Sequence, residues 1–158
     1  MNTAKDFEAC INYFSEFIVN AFEASKLTIA IRESNTETAV IQKSIGIEDS
    51  YTKGITFPLN EGLHGWVILK NKPYLIDNID KGEYFIPRFS RSEKTNYGLR
   101  AFLSVPLQLN GEAYGMVSLE DKIEDKYNDN DKNRLISFCT ILNSAYKRFE
   151  ENKSEIGE

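Results

Sequence analysis

The chain has 158 residues, of which 41% are hydrophobic and 27% charged, with a formal net charge of −5. That balance suits one globular domain with a real core, and it argues against a general nucleic-acid or membrane-surface binder. No apolar run is long enough to span a bilayer, no export signal opens the chain, and two cysteines make no disulfide framework, so the expected setting is cytoplasmic.

Residues 4–24 place Phe7, Cys10, Phe14, Phe17, Ala21 and Ala24 at heptad-like spacing, with Ile11 and Ile18 widening the stripe and Thr3 as the N-cap. This predicts an amphipathic helix over 1–24. Leu27, Ile29 and Ile31 alternate, and 38–47 alternates more loosely, which predicts two antiparallel strands joined through Ser34-Asn35-Thr36. A third strand follows over 55–59. Gly62 and Gly65 bracket a tight turn into a short helix that ends near Asn71, before Pro73, and 74–76 reads as another short strand.

Residues 77–101 are irregular, and long irregular segments in compact domains are usually functional. This one mixes Tyr84, Phe85, Phe89 and Tyr97 with Arg88, Arg91, Lys94 and Arg100 against a single acid, Glu93, between Tyr84 and Arg100. Two alternating segments then meet at Asn110-Gly111, the mark of a type I′ hairpin. With that turn the expected pairs are Leu109 with Glu112, Leu107 with Tyr114, Val105 with Met116 and Leu103 with Ser118. One face is then bulky (Leu103, Val105, Leu107, Leu109, Tyr114, Met116). The other carries Ser104, Pro106, Gln108, Ala113 and Gly115, with Phe102, Val117 and Leu119 toward its open end; Pro106 hints at a bulge or an edge. After a polar link, Leu135, Phe138, Cys139, Leu142, Ala145, Tyr146 and Phe149 form one stripe of a closing helix over 128–151, followed by a polar tail, 152–158.

The elements predict a single α+β domain: a central antiparallel sheet (within 25–127), terminal helices on its bulky face, and loop and short-helix segments over a pocket on the small-residue face. The chain resembles the GAF domain, a sensory module of signalling proteins. The matching features, in order, are Gly62 to Trp66, Asn71-Lys72-Pro73 with Asp77, Phe85 to Phe89, Ser104 to Leu107, Asn110-Gly111, Gly115 with Val117 and Leu119, and the closing helix. The resemblance implies the same GAF/PAS-like fold and a pocket for a small molecule. Members that bind cyclic nucleotides carry a motif to which Lys122 and Asp131 correspond, with Tyr127 a near match; Asp121 and Lys132 depart from it, so a structural role is expected for Lys122, Tyr127 and Asp131.

The candidate ligand-binding residues are Trp66, Tyr84, Phe85, Phe89, Arg91, Tyr97, Arg100 and Ser104, with Arg88 as a further anion receiver. Aromatic rings can stack on a planar ligand, and the guanidinium fork matches carboxylate and phosphate. Against this stands the reading that the rings fill the core and the arginines are solvated. His64 is the only histidine, which excludes a histidine metal cluster and disfavours haem. Cys10 and Cys139 fall on helix stripes, away from the pocket segments, which disfavours bilin attachment and the chemistry of GAF-like free methionine sulfoxide reductases. No catalytic residue and no metal ligand is expected, and no cofactor is specified. The expectation is a non-enzymatic cytoplasmic sensor, as in a histidine kinase or cyclase, that binds a small anionic ligand and signals through a homodimer of its terminal helices. The alternatives are a ligand-free dimerisation scaffold and, third, an enzyme of the sulfoxide-reductase kind.

Overall fold

A computed structural model describes residues 3–155, with nine elements: α1 (Thr3–Phe22), β1 (Lys26–Arg32), β2 (Thr38–Gly46), β3 (Thr56–Pro58), α2 (Leu63–Lys70), β4 (Tyr74–Ile76), β5 (Ala101–Leu109), β6 (Glu112–Asp121) and α3 (Asp129–Glu155). The strands form one antiparallel sheet in the order β3-β2-β1-β6-β5-β4. The expected α+β architecture is therefore the observed one. The end of the expected tail, 156–158, and the Thr3 side chain lie outside the described residues, whereas 152–155 continue α3 as helix.

The helical layer covers the sheet face carrying Leu27, Ile29, Leu103, Val105, Leu107, Tyr114, Val117 and Leu119. From α1 it receives Phe7, Ile11, Phe14, Ile18 and Phe22, and from α3 Leu135, Cys139, Leu142 and Ala145. Ring contacts join the helices in antiparallel sense: Phe7 stacks on Phe149 near one end, and Phe22 meets Phe138 edge-on near the other. Asn128 and Asp131 cap α3 reciprocally, each side chain accepting the other's backbone N–H at 3.0 and 2.9 Å.

The β5–β6 hairpin turns at Asn110-Gly111, whose φ values of 55° and 80° fit a type I′ turn. Its register differs from the expected one. Leu109 pairs with Glu112 and Gln108 with Ala113, but Leu107 then pairs with Gly115, Val105 with Val117 and Leu103 with Leu119. Tyr114 is thus an extra residue, a bulge, and beyond it every side chain changes face. Met116 belongs to the loop face, and Val117 and Leu119 to the helical face. Two contacts hold the bulge. The Tyr114 ring stacks on Tyr146 at 3.8 Å while its hydroxyl donates to Asn143. Gly115 passes so close to β1 that a Cβ there would lie 2.4 Å from the Ala30 carbonyl oxygen. Pro106 sits one residue before the β5 side of this bulge, beyond Ser104, the last β5 residue that β4 pairs with.

With this register the loop face is graded. Its central strands carry a charged row, Lys26 and Glu120, then a hydroxyl row, Thr28, Ser118 and Ser104, then a compact apolar row, Ala30, Met116 and Pro106. α2 and residues 77–100 lie over it, with Phe57, Leu59, Val67, Ile68 and Phe89 packed on the apolar end.

Candidate functional site

Two glycines set the loop segment against the sheet. A Cβ on Gly62 would lie 2.6 Å from the Arg88 carbonyl, and one on Gly65 would lie 2.4 Å from the Leu59 carbonyl oxygen, so both close approaches need the missing side chain. The first N–H groups of α2 then find partners: Leu63 donates to the Pro87 carbonyl at 3.0 Å and His64 to that of Arg88 at 2.9 Å. The chain at 87–90 is thereby held over the charged row.

Arg88 is fully buried there. Its Nε and Nη2 donate to the two oxygens of Glu120 at 2.6 and 3.0 Å, a bidentate pair. Asp49 lies 3.4 Å from Arg88 and 3.5 Å from Lys26, whose ammonium also donates to Ser44 and to the Ile47 carbonyl. Glu93 completes the cluster. Its Oε2 accepts the backbone N–H groups of Phe89 and Ser90 at 2.5 and 2.9 Å, and its Oε1 lies 3.7 Å from Arg88 Nη1 with no hydrogen bond of its own. His64 is buried between them, with Nδ1 paired to Ser118 Oγ at 2.8 Å and Ser118 to Ser104 at 2.5 Å. Its Nε2 faces Glu120 across 3.4 Å without a hydrogen bond.

Burial disfavours every charge in this cluster, and the partners decide which survive. For Glu120 burial pushes the carboxyl up, but Arg88 and His64 outweigh it and hold the group at about 2. For Arg88 burial is again outweighed, by Glu120, Asp49 and Glu93, and the proton is held more tightly than usual. For His64 burial wins over Glu120 and the imidazole titrates below its ordinary range; for Lys26 burial wins over Asp49. The arrangement is a fixed set of buried ions beside a neutral imidazole.

Of the residues the sequence singled out, the structure brings Arg88, Phe89 and Ser104 to this site. Phe89 is buried, stacked on Tyr51 at 4.2 Å and against His64 at 4.3 Å. Trp66 is half-buried beside Leu63, Ile79 and Phe102. Tyr84 and Phe85 stand 82% and 45% exposed on the outer loop. Arg91 and Arg100 are exposed; Arg91 gives its backbone N–H to Glu61 and Arg100 gives its own to the Asp121 carbonyl. Tyr97 is 41% exposed and lines a cavity of about 210 Å³ with Ser50, Tyr51, Ser92, Glu93, Lys94 and Thr95, against the outer side of the cluster. Of the motif residues, Lys122 is exposed, Tyr127 is buried in the helical core, and Asp131 serves the α3 cap and an ion pair with Arg134.

The sequence reading left out Glu120, Asp49, Lys26 and Glu93 as cluster members. Lys26 opens β1 and Glu120 stands next to last in β6, at strand ends where a charge ordinarily faces solvent, so nothing local marked them as buried partners. One residue beyond Glu120, Asp121 accepts from Ser25 N–H at 3.2 Å and Ile123 N–H at 3.0 Å and lies 3.5 Å from Lys126, which in turn donates to the Glu23 carbonyl. Neighbouring residues of β6 thus hold the buried cluster and the junction between the two terminal helices.

A larger cavity, about 300 Å³, lies on the helical side between α1, α3 and β1, but its cations are already matched: Lys53 with Glu8, Arg32 with Glu37 and Lys153 with Glu150. Cys139 is buried in the helical layer, its thiol pushed up to about 12 by burial, and Cys10, also raised by burial, packs against the same layer. Among the described residues no group of three or more His, Cys, Asp or Glu is placed to hold a metal ion, and no helix is long and apolar enough to cross a membrane.

The family model described as GAF domain matches residues 14–146. No curated protein matches the sequence. Among solved structures, the GAF domain of an Acinetobacter phosphoenolpyruvate-protein phosphotransferase superposes with a TM-score of 0.72 at 16% identity, covering 96% of each chain. Residues 122 to 287 of a methyl-accepting chemotaxis protein give 0.77 at 18% identity, over 93% of this chain and 92% of that one. The type II free methionine-R-sulfoxide reductase of Thermoplasma acidophilum gives 0.77 at 12% identity, over 94% and 97%. At these identities the likeness is one of fold.

Proposed function

The chain belongs to the GAF domain family of signalling proteins, and from that premise we propose that it is a non-enzymatic sensor: a small anionic ligand is received under residues 77–101 and read out through a homodimer of the terminal helices. The observation that carries this reading is the buried cluster around Arg88. Buried ion pairs add little stability compared with well-packed apolar side chains, so a cluster kept on the ligand side of the sheet is better suited to recognition or switching than to holding the fold. Ligand binding that displaces a member of the cluster would move Glu120, and with it Asp121 and the helix junction. The outer helical face offers a surface for a second copy: Tyr13, Phe17 and Ile141 are 78%, 50% and 52% exposed around an apolar groove that includes Cys10 and Phe14. Placement of both cysteines in the helical layer favours this over a sulfoxide reductase.

A second reading, the ligand-free dimerisation scaffold, draws support from the same cluster, because Arg88 is already saturated by the protein's own carboxylates. Native followed by denaturing mass spectrometry of the freshly purified protein separates the two. The sensor reading expects a dimer that releases one small molecule per chain. A dimer that releases nothing, and gains no mass from added anions, supports the scaffold, and a strict monomer at high concentration removes the readout from both.

A further inference from the structure

Glu93 closes a short turn, its backbone N–H donating to the Ser90 carbonyl at 3.1 Å while its carboxylate turns back along the loop. Its carboxylate sits in a seat made of two adjacent backbone N–H groups, Phe89 and Ser90, and the guanidinium edge of Arg88. The side chain is nearly inaccessible, with 5% of its surface exposed, yet Oε1 has no hydrogen bond. Oε1 is thus enclosed with only the longer ion pair to Arg88 to satisfy it. Glu93 also forms part of the wall of the cavity of about 210 Å³, so whatever replaced it would extend directly into that space, past Ser92, Lys94 and Tyr97.

We propose that the Phe89–Ser90–Arg88 seat is the recognition site for the carboxylate of a small organic acid, and that Glu93 is a tethered stand-in which the ligand displaces. This rests on the sensor reading above and names its ligand class. The charge balance selects a monoanion. Arg88 and Lys26 stand among Glu120, Asp49 and Glu93, an excess of one negative charge with His64 neutral. Exchange of one carboxylate for another preserves that sum, whereas a phosphate dianion would add a further buried negative charge beside Glu120 and Asp49. The remainder of the ligand, a few heavy atoms with polar groups, lies among Tyr51, Lys94 and Tyr97. Release of Glu93 frees the loop that carries it, the differential contact that a switch requires.

The test is an amide NMR titration of the full chain with acetate, and separately with inorganic phosphate at matched ionic strength, on wild type, Glu93→Ala and Glu93→Gln. A seat already filled by its own stand-in binds weakly, since the competent fraction divides the affinity. Glu93→Ala is therefore expected to bind acetate at least about tenfold more tightly than wild type, with saturable shifts at the Phe89 and Ser90 amides. Phosphate should leave those amides unmoved. Should Glu93→Ala fail to fold, Glu93→Gln keeps one acceptor oxygen for the two amides while losing the charge, and it is expected to bind acetate more tightly than wild type by a smaller factor. Equal acetate affinity in wild type and folded variant, no saturable shift at the two amides, or an equal response to phosphate would each overturn the proposal. A molecule without a carboxylate released from the purified protein would overturn it too, while leaving the sensor reading in place.

Discussion

Replacing Arg88 by Met keeps an unbranched side chain of similar reach and deletes the cation between Glu120, Asp49 and Glu93. Two charge-assisted hydrogen bonds to Glu120 are lost, each of a kind that contributes about 1.5–3 kcal/mol. Proton linkage expresses the same interactions in another form. The Glu120 carboxyl is held at about 2 against an ordinary 4.5, and at about 1.4 kcal/mol per unit that is about 3–4 kcal/mol of favourable coupling to its surroundings. Stranding one member of a buried pair typically costs about 3–5 kcal/mol, so that range is the expected loss. Urea unfolding at neutral pH reads it as a lower midpoint with an unchanged slope. The pH dependence carries a sign. Glu120 has a folded-state value below its unfolded one, so its stabilisation is present above 4.5 and lost as the pH falls through about 2. Without Arg88 the carboxyl takes up its proton at higher pH, and the deficit of Arg88→Met should shrink on acidification toward about pH 4. Replacing Glu120 by Met in the same chain should recover part of the loss, since Glu120 is then no longer stranded, although Asp49 and Glu93 still lack Arg88. A single variant within about 1 kcal/mol of wild type, or a deficit independent of pH, would refute the reasoning.

Three further outcomes are expected. The imidazole of His64, buried and titrating below its ordinary 6.5, makes the unfolded chain the better proton acceptor below that value, so stability should fall on acidification from 6.5; His64→Gln should flatten this part of the profile, and an unaltered profile would assign it elsewhere. Tyr13→Asp places a charge on a residue that is 78% exposed and should abolish association in light scattering with the thermal midpoint preserved; an undiminished dimer would move the interface off this face. Gly115→Ala sets a Cβ 2.4 Å from the Ala30 carbonyl oxygen and should cost about 1–3 kcal/mol in urea unfolding, whereas an unchanged midpoint would show that the bulge absorbs the methyl group.

The layer order and the turn at Asn110-Gly111 were legible because they rest on local patterns: apolar stripes at helical spacing, alternation in strands, and a dipeptide suited to positive φ. The bulge at Tyr114 was not, because what holds it is a stack on Tyr146 and a close approach to Ala30, both distant in sequence. That one inserted residue exchanges the faces of Met116 and Val117, so the loop face could be foreseen as small but not as graded from charged to apolar. Arg88 illustrates the same limit at the site. Its sequence neighbours made it one of several loop cations open to an anion, whereas its partner Glu120 lies 32 residues away. Glu93 was visible as the single acid of the basic segment, and Ser90-x-x-Glu93 is a local pattern in which the carboxylate turns back onto the Ser90 N–H, but nothing local placed that turn against the buried Arg88.

The strand order has a consequence for how the chain acquires its structure. β1, the first strand of the sheet in sequence, lies between β2 and β6, and the second of these neighbours is the last of its six strands. Until β6 is available one edge of β1 has no partner, and α1 has only part of the surface it covers, since α3 comes later still. Contacts of such sequence separation are slow to close. Within the domain β1 therefore keeps one edge open until β6 joins it, and completion of the sheet is expected as a late, cooperative event that requires β6 and α3.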